Sequence, residues 1–514
     1  MKKILNYSIL AVLFITASCD KGFDELNKNK ILPTAIDPVF QLNSAISNSS
    51  FPGGILFYEL GIVQQIITPN SGVLTGANFN QDNRDATQSN WQNYYRNVIK
   101  NTKDVISKTK DLPDRSNLMN MARIIQAHAF MILTDTYGNI PYEQAGAGFL
   151  DNTYFPVYDA QQSIYPKIIQ ELKDASAALN ATGKIETADI MYGGVIAQWK
   201  KFGNSLLLRA GMRLSKIDAV LGKQTVLAAF QGGLITSNAD NAFIKQNDNY
   251  TQGVGNLLNG GESGNFYLAE PFVNYLKNTN DPRLAAIAVR YKGAKSGGDQ
   301  ITAIAGSATV IVTRNPAEQF GMPIGKDNNT AKAAAIASGL ADFYEYSQVD
   351  RTRMAKRTAP VFLVTAAQTN LLLAEAKFRD WITPATTADE FYKAGIRAHM
   401  EQLKDYDAAS AVPPASIQTY LDNNPLDLSK ALEQINTQYW IASFLNGPEA
   451  WSNFRRSGFP ALTPNPFAGS SVPGAFIRRL TYPNSEISIN RVNIDAAIAS
   501  MGPDNLATRV WWDK

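Results

Sequence analysis

The sequence predicts an all-α fold in which paired helices support an inserted, loop-rich lobe. Apolar residues recur at helical spacing through most of the chain, and short turns join several of these stretches in pairs. Strand character shows in a single run, Ala308–Thr313, inside a region rich in Gly, Asn, Asp and Ser.

Along the chain, Leu56, Leu60 and Val63–Ile67 fit one helix face. Trp91, Tyr94, Tyr95, Val98, Val105 and Ile106 continue at helical spacing, which favours core positions for the rings. Met121, Ile125, His128 and Ile132 form one stripe of a helix that stops at Tyr137-Gly138-Asn139-Ile140-Pro141, where Gly and Pro disfavour continuation. The same reasoning predicts helices at about 159–180, 194–220, 266–278, 361–381, 387–405 and 428–446. Pairs of this length resemble tetratricopeptide-like units, although no clear 34-residue repeat is present. The helical scaffold is thus expected over about 35–230 and 356–460, with the loop-rich lobe at about 231–355 and an irregular C-terminal region at 461–514. Loops this long in a folded protein are usually functional.

The N-terminus carries a different signal. Lys2 and Lys3 precede an apolar run, Ile9–Ile15, and the small residues Thr16-Ala17-Ser18 lead to Cys19. A basic start, an apolar stretch too short to span a bilayer and a small-residue break describe a secretory signal. Its end on a cysteine makes residues 1–18 a lipoprotein signal and Cys19 the lipidation site, with Thr16 standing where Leu is usual. Residues 19–34 then read as a polar tether below a body at 35–514.

Composition narrows the function classes. The 514 residues are 45% hydrophobic and 18% charged, a globular composition. Of 48 basic residues, loss of Lys2 and Lys3 leaves 46 against 45 acidic ones, a balance unsuited to nucleic acid. Cys19 is the only cysteine, so no disulfide forms within the chain. With two histidines, His128 and His399, there is no His/Cys zinc constellation, and HExxH, Walker A and GxSxG motifs are absent. Gly261-Glu262-Ser263-Gly264 approaches the last, but Asn265 breaks it. Gln81-Asp82-Asn83-Arg84-Asp85 has oxygen ligands without calcium-loop spacing. Neither metal nor cofactor is expected, and no pair of carboxylates stands out for glycoside hydrolysis.

Seven phrases occur together in order. They are YGNIPY at 137–142, WKKFGNSLLLRAGMR at 199–213 and NDPRL at 280–284. Ala374-Glu375-Ala376 with YKAGI at 392–396 comes next, followed by GPEAWSNFRRSGFP at 447–460, RRLTYP at 478–483 and the terminal RVWWDK. This order resembles the SusD/RagB family of Bacteroidetes surface lipoproteins, in particular its SusD-like subgroup. The resemblance implies a mostly helical fold with tetratricopeptide-like pairs. It also implies a non-enzymatic role: capture of nutrients, most often oligosaccharides, at the cell surface and delivery to a SusC-like TonB-dependent β-barrel in the outer membrane. A peptide or other nutrient is the alternative cargo. A surface glycoside hydrolase and a helical scaffold for other proteins are further alternatives.

The phrases themselves read as structural. Trp199, Phe202, Leu206 and Arg213 share a helix face, and Glu375, Glu449, Arg455 and Arg456 suit charge-assisted hydrogen bonds pinning helices to the C-terminal loops. Ligand binding by these arginines is the competing reading. The strongest ligand-site candidate is the loop Thr75–Asp85, with Asn78, Phe79, Asn80, Gln81, Asp82 and Arg84. Amides, carboxylates and guanidinium can bridge neighbouring sugar hydroxyls, and an aromatic ring can cover the apolar face of a pyranose. In the lobe, Asn247, Asp248, Tyr250, Phe343, Tyr344 and Tyr346 would supply a second wall.

Overall fold

Helix α1 (Pro38–Asn48) buries Val39, Leu42, Ala45 and Ile46 along one face, and α2 (Gly53–Ile62) follows. These belong to a computed structural model that describes residues 36–70, 78–307 and 309–514. Residues Pro38–Lys514 form one compact unit. The expected signal at 1–18, Cys19, the tether at 19–34 and positions 75–77 of the candidate loop lie outside the described residues.

The first departure from the sequence reading follows α2. The helix stops at Ile62, Gln64 takes a left-handed backbone (φ 54°) and Ile66–Ile67 becomes strand β1. Helix α3 (Arg84–Gln92) starts where the Asn83 side chain accepts a hydrogen bond from the Ala86 N–H at 3.1 Å. It runs through π-helical turns, Asn93–Ile99, into α4 (Lys100–Thr109). The long α5 (Ser116–Tyr137) ends at Gly138, whose φ is 82°. That backbone is one L side chains rarely adopt, so the stop favours glycine on conformational grounds, while a side chain there would only have to displace the flexible end of Met501.

Helices α6 (Gln161–Ala178), α7 (Ile196–Arg213) and α8 (Ala219–Gly232) come next. The helix expected at 194–220 therefore ends early, at Arg213, and α8 is a helix that the sequence reading did not assign. Asp218 accepts a hydrogen bond from the Leu221 N–H at 3.0 Å and starts α8 as a new helix. Further on are α9 (Glu270–Asn278), α10 (Ala366–Phe378), α11 (Ala388–Gln402), α12 (Ala431–Ala442) and α13 (Gly447–Ser457). Two other expected helices lose their first residues to strands, Tyr267–Leu268 ahead of α9 and Val361–Val364 ahead of α10. At α10 the boundary is chemical. Thr365 and Gln368 form a capping box, so helix begins only after the apolar Val361–Val364 run has paired elsewhere.

Neighbouring helices stack in sequence, α4 on α5, α5 on α6, α6 on α7 and α7 on α8, with α10 against α11 and α12. This is the helix-pair architecture expected from periodicity. Between the helical blocks lie short antiparallel ladders. β1 pairs with β3 (Tyr267–Leu268), and β2 (Ala242–Ile244) pairs with β7 (Val361–Val364). β4 (Ala288–Lys292) sits between β5 (Ile311–Thr313) and β6 (Gln348–Val349). The region 231–355 also holds helices at Gly253–Leu258, Gly297–Ile304 and Asn328–Ala337.

Buried charge pins the C-terminal segment to this scaffold. Arg456 makes paired 2.7 Å bonds to the Glu375 carboxylate, and Arg379 adds another at 2.8 Å. Burial alone would push the Glu375 carboxyl up; the guanidiniums of Arg456 and Arg379 outweigh it and hold the group down at about 2. Glu449 takes Arg213 at 2.6 Å, Arg209 at 3.2 Å and the Tyr439 hydroxyl at 2.7 Å. Arg455 instead donates to the carbonyls of Asp135 and Arg478 and lies 3.8 Å from the Trp451 ring centroid. The arginines of this motif are thus spent on the fold, as buried charges must be.

Both histidines are core residues. Burial, with Arg209 nearby, pushes His128 down to about 3. His399 is held well below the usual range by burial and then by Arg283, whose guanidinium lies 3.1 Å from Nδ1.

Candidate functional site

The polar loop at 78–84 is a clasp. Asn78, Phe79 and Asn80 are only 2%, 3% and 4% exposed. Asn78 donates to the carbonyls of Thr68 and Lys326 and accepts from the Gly325 N–H at 3.3 Å. Asn80 has a left-handed backbone (φ 48°), and its carbonyl accepts from the Ser471 N–H at 2.8 Å. The ring of Phe79 lies 4.5 Å from that of Phe467, so as folded it offers no open face to a sugar. Arg84 donates to the Tyr482 carbonyl at 2.7 Å and pairs with Asp504 at 2.9 Å, while Asp82 accepts from Thr481 at 2.6 Å. Among the candidates of this loop, only Gln81 and Asp82 remain exposed. Asn80, Asp82 and Arg84 hold the C-terminal segment, while the Asn78 side chain ties the loop to Thr68 and to Gly325 and Lys326.

The aromatic candidates at 343–346 are similarly occupied. Phe343 and Tyr346 are buried in a small cluster with Ile67, Tyr267 and Met322, and Tyr344 stacks on Phe343 at 4.2 Å. Burial, with Glu270 adding to it, pushes the Tyr346 hydroxyl up to about 12. Asn78 and this cluster approach the same segment, because Asn78 bonds Gly325 and Lys326 while Met322 belongs to the cluster.

The third group of candidates is placed differently. Strand β2 is held by β7, and the chain leaving it at Lys245 turns back over Asn247–Tyr250. The Asn247 side-chain oxygen accepts from the N–H groups of Asn249 and Tyr250, both at 2.9 Å, and the Asn247 N–H donates to the Tyr250 carbonyl at 2.9 Å. This turn stands Tyr250 out at 66% exposure, with Asp248 exposed beside it. Opposite lies α1, and between them runs an open cleft of about 760 Å³. Phe40, Asn43, Ser44, Ser47 and Asn48 face it, at the i, i+3, i+4, i+7, i+8 spacing of one helix face. Phe40 is 56% exposed and Ile190, on the same cleft, 41%. Asn43 fixes the Ile190 segment, donating to the Ala188 carbonyl at 2.8 Å and accepting from the Ile190 N–H at 3.2 Å.

Chemically the cleft is a set of amides and hydroxyls punctuated by exposed rings, and its only formally charged lining residue among the described ones is Lys245. That composition suits a neutral polyhydroxylated ligand. Amides and hydroxyls match its hydrogen-bonding groups, and Tyr250 and Phe40 offer faces to its C–H surfaces. Of the residues singled out in the sequence, the structure brings Asn247 and Tyr250 to this cleft. Phe40 and the α1 stripe are not among the sequence candidates. Their signal is present in the sequence as an aromatic residue leading an amide and hydroxyl stripe opposite the apolar face of α1.

The chain compares closely with known proteins. A family model described as "Starch-binding associating with outer membrane" (SusD-like) matches residues 55–483. Among solved structures, a chitin-binding protein is 30% identical, with a TM-score of 0.80 over 93% of this chain and 100% of the other. A Bacteroidetes SusD-like protein, AC2a, is 26% identical with a TM-score of 0.80 over the same shares. A SusD homolog from Bacteroides uniformis, at 24% identity and a TM-score of 0.74 over 93% of this chain and 98% of the other, shares the fold. No match is found among curated proteins. With the family model spanning most of its length and the helix-pair scaffold in common with these structures, the chain belongs to the SusD-like family.

Proposed function

We propose that this protein is a cell-surface glycan-binding lipoprotein, anchored through Cys19, that captures oligosaccharide without chemical change and passes it to a SusC-like TonB-dependent transporter. The observation that carries the ligand assignment is the cleft between α1 and the Asn247–Tyr250 turn, with two exposed rings among amides and hydroxyls. The family description as starch-binding and associating with the outer membrane supports both the ligand class and the location. A structural relative at 30% identity is named a chitin-binding protein, which makes chitin oligosaccharides the first ligands to try and supports binding in place of catalysis.

Isothermal titration against chito-oligosaccharides and malto-oligosaccharides tests the reading. Saturable binding that Tyr250→Ala weakens supports it. A protein that ignores both series but binds a mixed peptide library would be reassigned to peptide uptake, and reducing ends released from polysaccharide would mark an enzyme. Co-purification of a large β-barrel with the membrane-bound protein tests the transporter, and Cys19→Ser, which should release the protein from the membrane, tests the anchor.

A further inference from the structure

A second groove lies away from the cleft, on α4, α5 and α6 together with Tyr142 and Glu143, and measures about 500 Å³. Its floor is apolar. Phe130 is buried, Tyr142 is partly buried, and their ring centroids are 4.5 Å apart. Its rim is charged. Arg123 pairs with Glu171 at 2.8 Å, and Lys167 pairs with Glu143. Lys103, partly buried, also lines the groove, and its ammonium makes no hydrogen bond or ion pair among the described residues.

Among the lining residues three cations and two carboxylates leave one positive charge, on the group without a partner, and Asp151 acts on it from outside the lining. Burial holds the Lys103 ammonium below the usual lysine range, against the pull of Glu143, Glu171 and Asp151. An ammonium half removed from water and lacking an acceptor gains a charge-assisted hydrogen bond from any anion that reaches it.

The shape and flanking charges select among anions. The groove is of ligand-pocket size, and the Phe130–Tyr142 floor suits a body with an apolar face. A phosphate ester carries about −1.5 to −2 at neutral pH, more than the single spare charge, and would face both Glu143 and Glu171. A carboxylate carries a single negative charge and fits.

We infer that this groove is a second saccharide site, one that takes a carboxylate-bearing sugar with its carboxylate on Lys103 and its ring over Tyr142. The site is independent of the α1 cleft and does not require the transporter reading.

NMR titration of the protein with methyl β-D-glucuronide, methyl β-D-glucoside and glucose 6-phosphate tests this. The glucuronide should bind at least about tenfold more tightly than either of the others, the scale of one charge-assisted hydrogen bond. Lys103→Met should remove that preference, and Tyr250→Ala should leave it intact, which separates this site from the cleft. Glu143→Gln, at an exposed position, should tighten glucuronide binding even if Lys103→Met fails to fold. Absence of glucuronide binding, equal binding of the glucoside, preference for the phosphate, or a preference that survives loss of the Lys103 charge would each overturn the assignment.

Discussion

Replacing Glu375 with Gln tests the buried network that ties α13 to α10. The side chain keeps its size but loses its charge, leaving Arg456 buried opposite a neutral amide. In the wild type, two 2.7 Å bonds from Arg456 and one of 2.8 Å from Arg379 hold the carboxyl at about 2, against an ordinary value of 4.5. That difference corresponds to roughly 3 kcal/mol favouring the ionised form in the fold. It agrees with the ~3–5 kcal/mol typical when one partner of a buried ion pair is removed. For a folded body of this length the unfolding entropy is on the order of 1 kcal/mol/K, so Tm should fall by about 3 °C at pH 7. The pH dependence supplies a second readout. Because the folded carboxyl is depressed, its contribution is full above 4.5 and is lost as pH falls toward 2. Glu375→Gln should therefore flatten the acid limb of a plot of Tm against pH, converging with the wild type near pH 2. A variant within about 0.5 kcal/mol of the wild type at pH 7, or one with an unchanged acid limb, would refute the reasoning.

Three further predictions follow the same logic. Tyr250→Ala, at a side chain 66% exposed, should weaken chito-oligosaccharide binding by about 10- to 100-fold while leaving Tm unchanged, as titration and calorimetry would show together. Trp512 is fully buried, donates to Asp135 at 2.7 Å and lies 4.9 Å from the Arg455 guanidinium, so Trp512→Ala should cost about 3–5 kcal/mol in denaturant unfolding. Glu59 is buried, neither of its carboxylate oxygens has a hydrogen-bond partner among the described residues, and burial raises its carboxyl well above 4.5 against the opposing effect of Arg455. A raised acid contributes stability that is full below 4.5 and is lost as pH rises through the folded value. Glu59→Gln should thus be more stable than the wild type at pH 8 and close to it at pH 4, a comparison that melting curves at the two values would settle.

The features legible in the sequence are those set by near neighbours. The stripe Met121, Ile125, His128 and Ile132 marks a buried face because side chains at that spacing share one side of a helix, and Gly138 marks its end. The capping pair Thr365 and Gln368 is equally local, yet the apolar run before it reads as helix. Val361–Val364 is strand because β2, more than a hundred residues earlier, pairs with it. Buried arginines and acids are recognisable as scaffold, whereas the exchange of partners, Glu449 to Arg209 and Arg213 and Arg455 to backbone carbonyls, is not.

The helical scaffold, the family and the chemical types available to a ligand can all be read from the residues in order. Which of those groups stay open depends on how distant segments pack. Phe79 and Tyr250 look alike as aromatic residues in polar loops; Phe79 is covered by Phe467, while Tyr250 stands free across a cleft from Phe40. Periodicity records which side of an element faces inward, a property of a few consecutive residues. Exposure of a loop side chain is set by contacts hundreds of residues away, and no local pattern carries that information.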